Sequence, residues 1–98
     1  MPNVRNTILK KYNISSYRFM ELYYHCLQYN DACDVAKRQM IEQTARDAGG
    51  DIADYILKAV TTEGATYEYL AERGLPCGKH MYYDRRKKFY LLLSDRLK

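Results

Sequence analysis

Long apolar runs are missing from this sequence. No stretch approaches the roughly 18 apolar residues of a membrane-spanning helix, and the first residues, MPNVRNTILKKYN, lack the apolar core of a signal peptide. Cysteine is also scarce, because three residues without a pairing pattern do not make the disulfide framework of a small secreted domain. These absences predict a cytoplasmic protein that has no contact with a membrane.

Internal repeats, low-complexity tracts and linkers are absent as well, and few segments alternate between apolar and polar residues as strands do. Apolar residues instead recur every three to four positions, and Pro2 and Pro76 lie outside the helix-like stretches. A chain of 98 residues allows one domain. We therefore predict a single all-α domain over residues 1–98, a compact bundle of four to five helices. Residues 1–48 form its N-terminal helices, and residues 51–98 form a C-terminal helix-turn-helix part.

Motifs of enzyme active sites are lacking too: there is no glycine-rich phosphate loop and no recognisable pair of carboxylates. His25 and Cys26 are neighbours, but adjacent helix residues point about 100° apart and do not form a nucleophile–base pair. Cys77 and His80 have the CxxH spacing of a zinc site, with His25, Cys26 and Cys33 as further donors. Structural zinc sites, however, carry a ligand pair at both ends. We expect a protein that is not an enzyme, with no catalytic residue, no metal site and no cofactor.

Polar caps and glycines mark the predicted ends of the first two helices. Ser15 or Ser16 can cap a helix that runs through YRFMELYYHCLQY. Asn30 and Asp31 offer a break and a second cap before ACDVAKRQMIEQTARDA, and Gly49–Gly50 ends that helix. Shared faces are predicted for Met20, Tyr23 or Tyr24, and Leu27 in the first helix, and for Cys33, Ala36, Met40, Ile41, Thr44 and Ala48 in the second.

The remaining helices follow from similar signals. Asp51 is the expected cap of the third helix, IADYILKAV, and Thr66 is the expected cap of a short helix, YEYLAER, that Gly74 ends. After a turn, the last helix runs from about Lys79 to about Leu97. The broad apolar face of the third helix consists of Ile52, Tyr55, Ile56, Ala59 and Val60.

Positive charge is concentrated at the end of the chain. Residues 79–98 contain seven Lys or Arg against two Asp, a net charge of +5, whereas residues 1–78 have a net charge of −1. A localised basic segment favours a polyanionic partner, most often nucleic acid. The alternative is a solvated helix face without a partner.

The segment TYEYLAERGLPCGKHMYYDRRKKF has the layout of a helix-turn-helix, with a turn about one residue shorter than the common pattern. A rotation of 100° per residue from Phe89 places Tyr82, Arg86, Phe89, Leu92 and Leu93 on the inward face of the last helix. The opposite face contains His80, Tyr83, Asp84 and Lys87, where a recognition helix meets base edges. The predicted DNA-binding residues are Lys79, His80, Tyr83, Arg85, Arg86, Lys87 and Lys88, of which Lys79, Arg85, Arg86 and Lys88 suit phosphates.

Three blocks carry a resemblance to a known family: YRFMELYYHCLQY, MIEQTARDAGGDIADYILKAVTTEG and LPCGKHMYYDRRKKFYLLL. From about Tyr17 onward, the chain resembles small proteins encoded by phages and integrative elements of Gram-positive bacteria. Their C-terminal part is similar to region four of bacterial sigma factors and to the ArpU and RinA types of phage late-transcription regulator. The resemblance implies a DNA-binding regulator.

Two functions of different classes follow from these observations. The first is a duplex-DNA-binding transcriptional regulator of a phage or mobile element that reads DNA with the helix at 79–97. The second is a small phage-type protein that binds and inhibits a host protein, such as a nucleic-acid-handling or defence enzyme. The expected partners are duplex DNA and, as alternatives that the sequence leaves open, RNA polymerase or another host protein and a second copy of the chain.

Overall fold

The first helix begins where a serine caps it. The computed structural model describes residues 14–31 and 34–97, and its helix α1 spans Ser16–Leu27. The Ser15 hydroxyl accepts a hydrogen bond from the backbone N–H of Arg18 at 3.1 Å, which confirms the predicted cap. The buried residues of α1 are Phe19, Leu22 and Cys26. The predicted buried face of this helix, Met20, Tyr23 or Tyr24, and Leu27, was therefore wrong by about one position. The adjacent tyrosines were compatible with two rotations of the helix about its axis.

Helix α2, Val35–Gly49, starts later than predicted. Tyr29–Asp31 form a short 3-10 turn, and Asp34 caps α2 by accepting from the N–H groups of Ala36 and Lys37 at 3.0 and 3.3 Å. The predicted start at Asn30–Asp31 was wrong. Asp34 is an equally good cap and is nearer in the chain to Ile41, the first buried residue of α2. Cys33 lies outside the described residues, Ala36 is exposed, and the buried positions are Ile41, Thr44, Ala45, Ala48 and Gly49.

Two glycines bring α2 and the next helix close together. Gly50 ends α2 with a φ of 58°, a left-handed conformation that glycine adopts without a Cβ penalty, as predicted. A Cβ at Gly49 would lie 3.2 Å from Cγ1 of Ile56. Gly50–Ile52 then form a 3-10 turn, and helix α3 spans Ala53–Thr61. Asp51 sits inside that turn and does not cap α3, so this prediction was wrong.

The helix-turn-helix segment follows, with α4 at Tyr67–Glu72 and α5 at Lys79–Arg96. Thr66 caps α4 by accepting from the N–H of Tyr69 at 3.2 Å, as predicted. Six residues, 73–78, separate the two helices, more than the three or four of a common helix-turn-helix, so the expected short turn was wrong. Gly74 reverses the chain with a φ of 100°.

Helix α5 holds the bundle together. It packs most extensively against α2 and also contacts α1 and α3, whereas its backbone approaches α4 at few positions. Its fully buried residues include Tyr82, Phe89 and Leu93, which confirms the predicted phase of this helix. The described residues contain helices and no strand, and the predicted all-α bundle is confirmed. A bilayer-spanning segment is not found in this part of the chain, since each helix is too short or too polar.

Candidate nucleic-acid interface

The outer face of α5 consists of His80, Tyr83, Asp84, Lys87 and Lys88. His80, Asp84 and Lys88 are exposed, and Tyr83 and Lys87 are half-buried. His80, Asp84 and Lys87 lie on the side of α5 opposite Phe89, and Tyr83 and Lys88 flank them, because the helix turns by about 100° per residue. The residues predicted to read bases therefore lie on one accessible surface, together with some of those predicted to bind phosphates. This surface is about 12 Å long from His80 to Lys88, since a helix rises 1.5 Å per residue.

Lys79 begins α5 and lies at the edge of this surface. Its Nζ is 3.4 Å from the carboxylate of Glu68 on α4 and 5.9 Å from the ring centre of Tyr67. The pKa of Glu68 is lowered, first by its own backbone N–H and then by Lys79. Both partners are largely exposed, so the pair is weak and Lys79 can leave it for a phosphate.

Arg85 makes a structural contact between α5 and α2. Its Nη1 donates a hydrogen bond to the backbone carbonyl of Gly49 at 3.2 Å, at the C-terminus of α2. A cation is favoured there because the last carbonyls of a helix lack partners and carry partial negative charge. The predicted phosphate contact of Arg85 therefore competes with a structural role in joining α5 to α2.

Arg86 lies in the core. It is 9% exposed, and its guanidinium carbon is 5.9 Å from the ring centre of Tyr90. Two indications from the sequence conflicted for this residue, since its helical phase placed it inward and its charge suggested a phosphate contact. The structure follows the phase, and Arg86 is not part of the outer face.

Two further arginines anchor α5 and were not identified from the sequence. Arg96 donates to the Thr44 hydroxyl at 2.9 Å and to Asp47 at 2.5 Å, and this contact is the main reason why the pKa of Asp47 is lowered. Arg18 on α1 donates to the hydroxyl of Ser94 at 3.1 Å and to its carbonyl at 2.9 Å. The partners are 49 to 76 residues apart in the chain, so no local pattern indicates them.

The alternative zinc ligands that the structure describes, His25, Cys26, Cys77 and His80, are not brought together, and Cys33 lies outside the described residues. Within residues 14–31 and 34–97, no group of three or more His, Cys, Asp or Glu side chains is placed to hold a metal ion. Cys77 is half-buried in the turn before α5, while Cys26 is buried in α1. Burial raises the pKa of the Cys26 thiol to about 12, which keeps it protonated and unreactive.

His25, the neighbour of Cys26, provides a pH-dependent contribution to stability. Its pKa is lowered by burial, with smaller effects of Lys37 and Arg18, and its Nε2 is buried without a hydrogen-bond partner in the described chain. The unfolded chain therefore binds more protons than the native state once the pH falls below about 6.5, the ordinary value for histidine. Protonation of His25 thus favours unfolding as the pH falls.

We expect the urea midpoint of the native chain to fall between pH 7.5 and 5.5, and His25→Gln to reduce that fall. The matched control is His80→Gln, because His80 is exposed and is the other histidine of the chain. Urea titrations monitored by circular dichroism at both pH values give the comparison. Equal pH dependence in the native chain and His25→Gln would show that His25 does not contribute.

No family model, no curated protein and no solved structure matches the chain. The resemblance to phage regulators with a sigma-factor-like C-terminal part therefore stays a prediction from the three sequence blocks that carry it.

Proposed function

We propose that this protein binds duplex DNA through the outer face of α5 and regulates transcription in a phage or mobile element. The observation that supports the proposal most directly is the mainly basic surface that exposed His80 and Lys88 form with half-buried Lys87 along a long helix. The opposite side of the same helix is fixed to α1, α2 and α3. A helix held in this way can enter the major groove as a rigid unit.

The roles of the side chains follow from their position. Lys79 and Lys88 contact phosphates at the two edges of the surface, which gives affinity without sequence preference. His80, Tyr83 and Lys87 lie between these edges and contact base edges. Asp84 is exposed on the same face and repels phosphates, so it faces bases, where a carboxylate accepts from the amino group of cytosine.

A second candidate function is binding to a host protein, including RNA polymerase, with inhibition of that protein. The observation that favours it lies on α1, where Tyr17 is 86% exposed and Tyr24 is 54% exposed. The two tyrosines are two helical turns apart and share one side of α1. DNA reading by α5 does not use them, and tyrosine is enriched in protein interfaces. A second copy of the chain is an alternative partner for the same surface.

A selection from randomised DNA sites separates the two functions. If the outer face reads bases, the triple variant His80→Ala, Tyr83→Phe and Lys87→Ala should select a different or weaker motif than the native chain. Each lost base contact should lower the affinity for the preferred site by about 1–3 kcal/mol. Phenylalanine is used at Tyr83 because that ring packs 4.9 Å from Tyr82 and alanine would disturb the helix.

The matched control is Lys58→Ala, an exposed lysine on α3 outside the proposed surface. Affinity capture from host lysate is run beside the selection. An unchanged motif, or none, together with a host protein that the native chain captures and a Tyr17→Ala, Tyr24→Ala variant does not, would reject the DNA function and favour the second candidate.

A further inference from the structure

Arg86 is a buried cation that forms no ion pair with any of the residues that the structure describes. Ion pairs of the described residues join Arg18 with Glu21, Lys79 with Glu68 and Arg96 with Asp47, and none includes Arg86. Residues 1–13 contain no aspartate or glutamate that would supply the missing carboxylate. The Nε of Arg86 is buried and has no hydrogen-bond acceptor in the part of the chain that the structure describes.

The interaction of the Arg86 guanidinium with the ring of Tyr90 is weak. The ring centre of Tyr90 lies 5.9 Å away, at the outer limit of a cation–π interaction. The guanidinium group of arginine keeps its charge in proteins, so burial does not neutralise it. A buried charge without a partner is unfavourable. An apolar residue at this position would avoid that penalty, and a bound anion would offset it.

We propose that Arg86 binds an oxyanion of the phosphate class. A guanidinium presents several N–H donors in a planar fork that matches phosphate oxygens. A phosphate dianion is favoured over a single carboxylate because residues 79–98 carry a net charge of +5, and a more highly charged anion gains more from that field. The source of this phosphate is the free inorganic ion, because Arg86 lies outside the surface that is proposed to contact DNA.

Thermal unfolding of the whole chain with inorganic phosphate tests the proposal independently of DNA binding. Sodium phosphate replaces sodium chloride at constant ionic strength, so that general screening stays the same. A phosphate that binds only the native state should raise the Tm by roughly 5–10 °C at ten times its dissociation constant. Arg86→Met, which keeps the length of the side chain and removes its charge, should lose this rise.

Lys88→Met is the matched control, since it removes one positive charge from an exposed position of the same helix. This variant should keep the phosphate-dependent rise. No rise in the native chain, or an equal rise in Arg86→Met, overturns the proposal and leaves Arg86 as a packing residue.

Nuclear magnetic resonance of the native chain gives a readout that does not depend on a variant folding. The Nε–H resonance of Arg86 should shift on addition of phosphate and saturate with the dissociation constant from the thermal experiment. A short DNA duplex in phosphate-free buffer should leave this resonance in place, and a shift with the duplex but not with inorganic phosphate would overturn the proposal. A resonance that moves with neither ligand rejects the proposal.

Discussion

Replacement of Phe89 by alanine is expected to lower the free energy of unfolding by about 3–5 kcal/mol, the usual range for a buried aromatic residue. Phe89 is fully buried in α5. Its ring lies 5.3 Å from that of Tyr90, which in turn lies 5.0 Å from Phe19 on α1. Alanine would remove one end of this chain of edge-to-face rings and leave a cavity. For a small domain the loss is a large part of the total stability.

Urea unfolding followed by circular dichroism measures the effect. Lys88→Ala is the matched control, because it changes the preceding, exposed residue of α5 and should shift the stability by less than about 0.5 kcal/mol. Phe89→Leu retains most of the buried volume, so its loss of stability should lie between those of Lys88→Ala and Phe89→Ala. An unchanged urea midpoint for Phe89→Ala would contradict the central position of this ring in the core.

Binding to duplex DNA is expected to weaken by roughly a factor of ten or more between 50 and 200 mM salt if several phosphates are contacted. Lys79→Gln combined with Lys88→Gln, the two lysines proposed to contact phosphates, should weaken binding to all sequences alike. It should also flatten the plot of log affinity against log salt by about one unit for each lysine that contacts a phosphate. These lysines are preferable to Arg85 and Arg86, since replacement of either arginine also changes the contacts of α5 with the bundle.

Mobility-shift titrations with pooled genomic fragments at several salt concentrations provide the measurement. Lys58→Gln removes the same charge from an exposed position on α3 and should leave the salt dependence close to that of the native chain. Absence of binding by the native chain at low salt would count heavily against the DNA function. An equal effect of Lys58→Gln would show that net charge alone, and not the outer face of α5, determines the affinity.

The basic residues of α5 thus divide into two groups. Arg85 and Arg96 donate to α2, and Arg86 is inside the core, so these three stabilise or constrain the position of the helix. Lys79 and Lys88 are exposed, and Lys87 is half-buried. The lysines rather than the arginines therefore form the surface that the proposed DNA contact uses. Flexible, strongly hydrated lysine side chains suit general phosphate contacts better than bidentate base recognition.

Local sequence signals predicted those parts of the fold that local chemistry controls. Ser15 and Thr66 cap helices because a hydroxyl reaches backbone N–H groups three residues ahead. Gly50 and Gly74 end helical segments because they take positive φ angles. The phase of α5 also followed from the sequence, since its spacing of large apolar residues has one consistent inward side. Where two residues were equally good caps, as Asp31 and Asp34 were for α2, the sequence alone did not determine where the helix begins. The same was true of the buried face of α1, for which two helical phases were similar.

The sequence by itself determined the helical class, most helix ends, the inward position of Phe89 and the concentration of positive charge in the last helix. Only the tertiary structure decided which of those charges remain accessible. Arg85 and Arg86 are adjacent cations, yet one reaches the C-terminus of α2 and the other enters the core. The physical reason is that the acceptor of Arg85 and the helices that pack against α5 lie in distant parts of the chain. The free energy of a charged side chain depends on those partners and on burial, which no local spacing encodes.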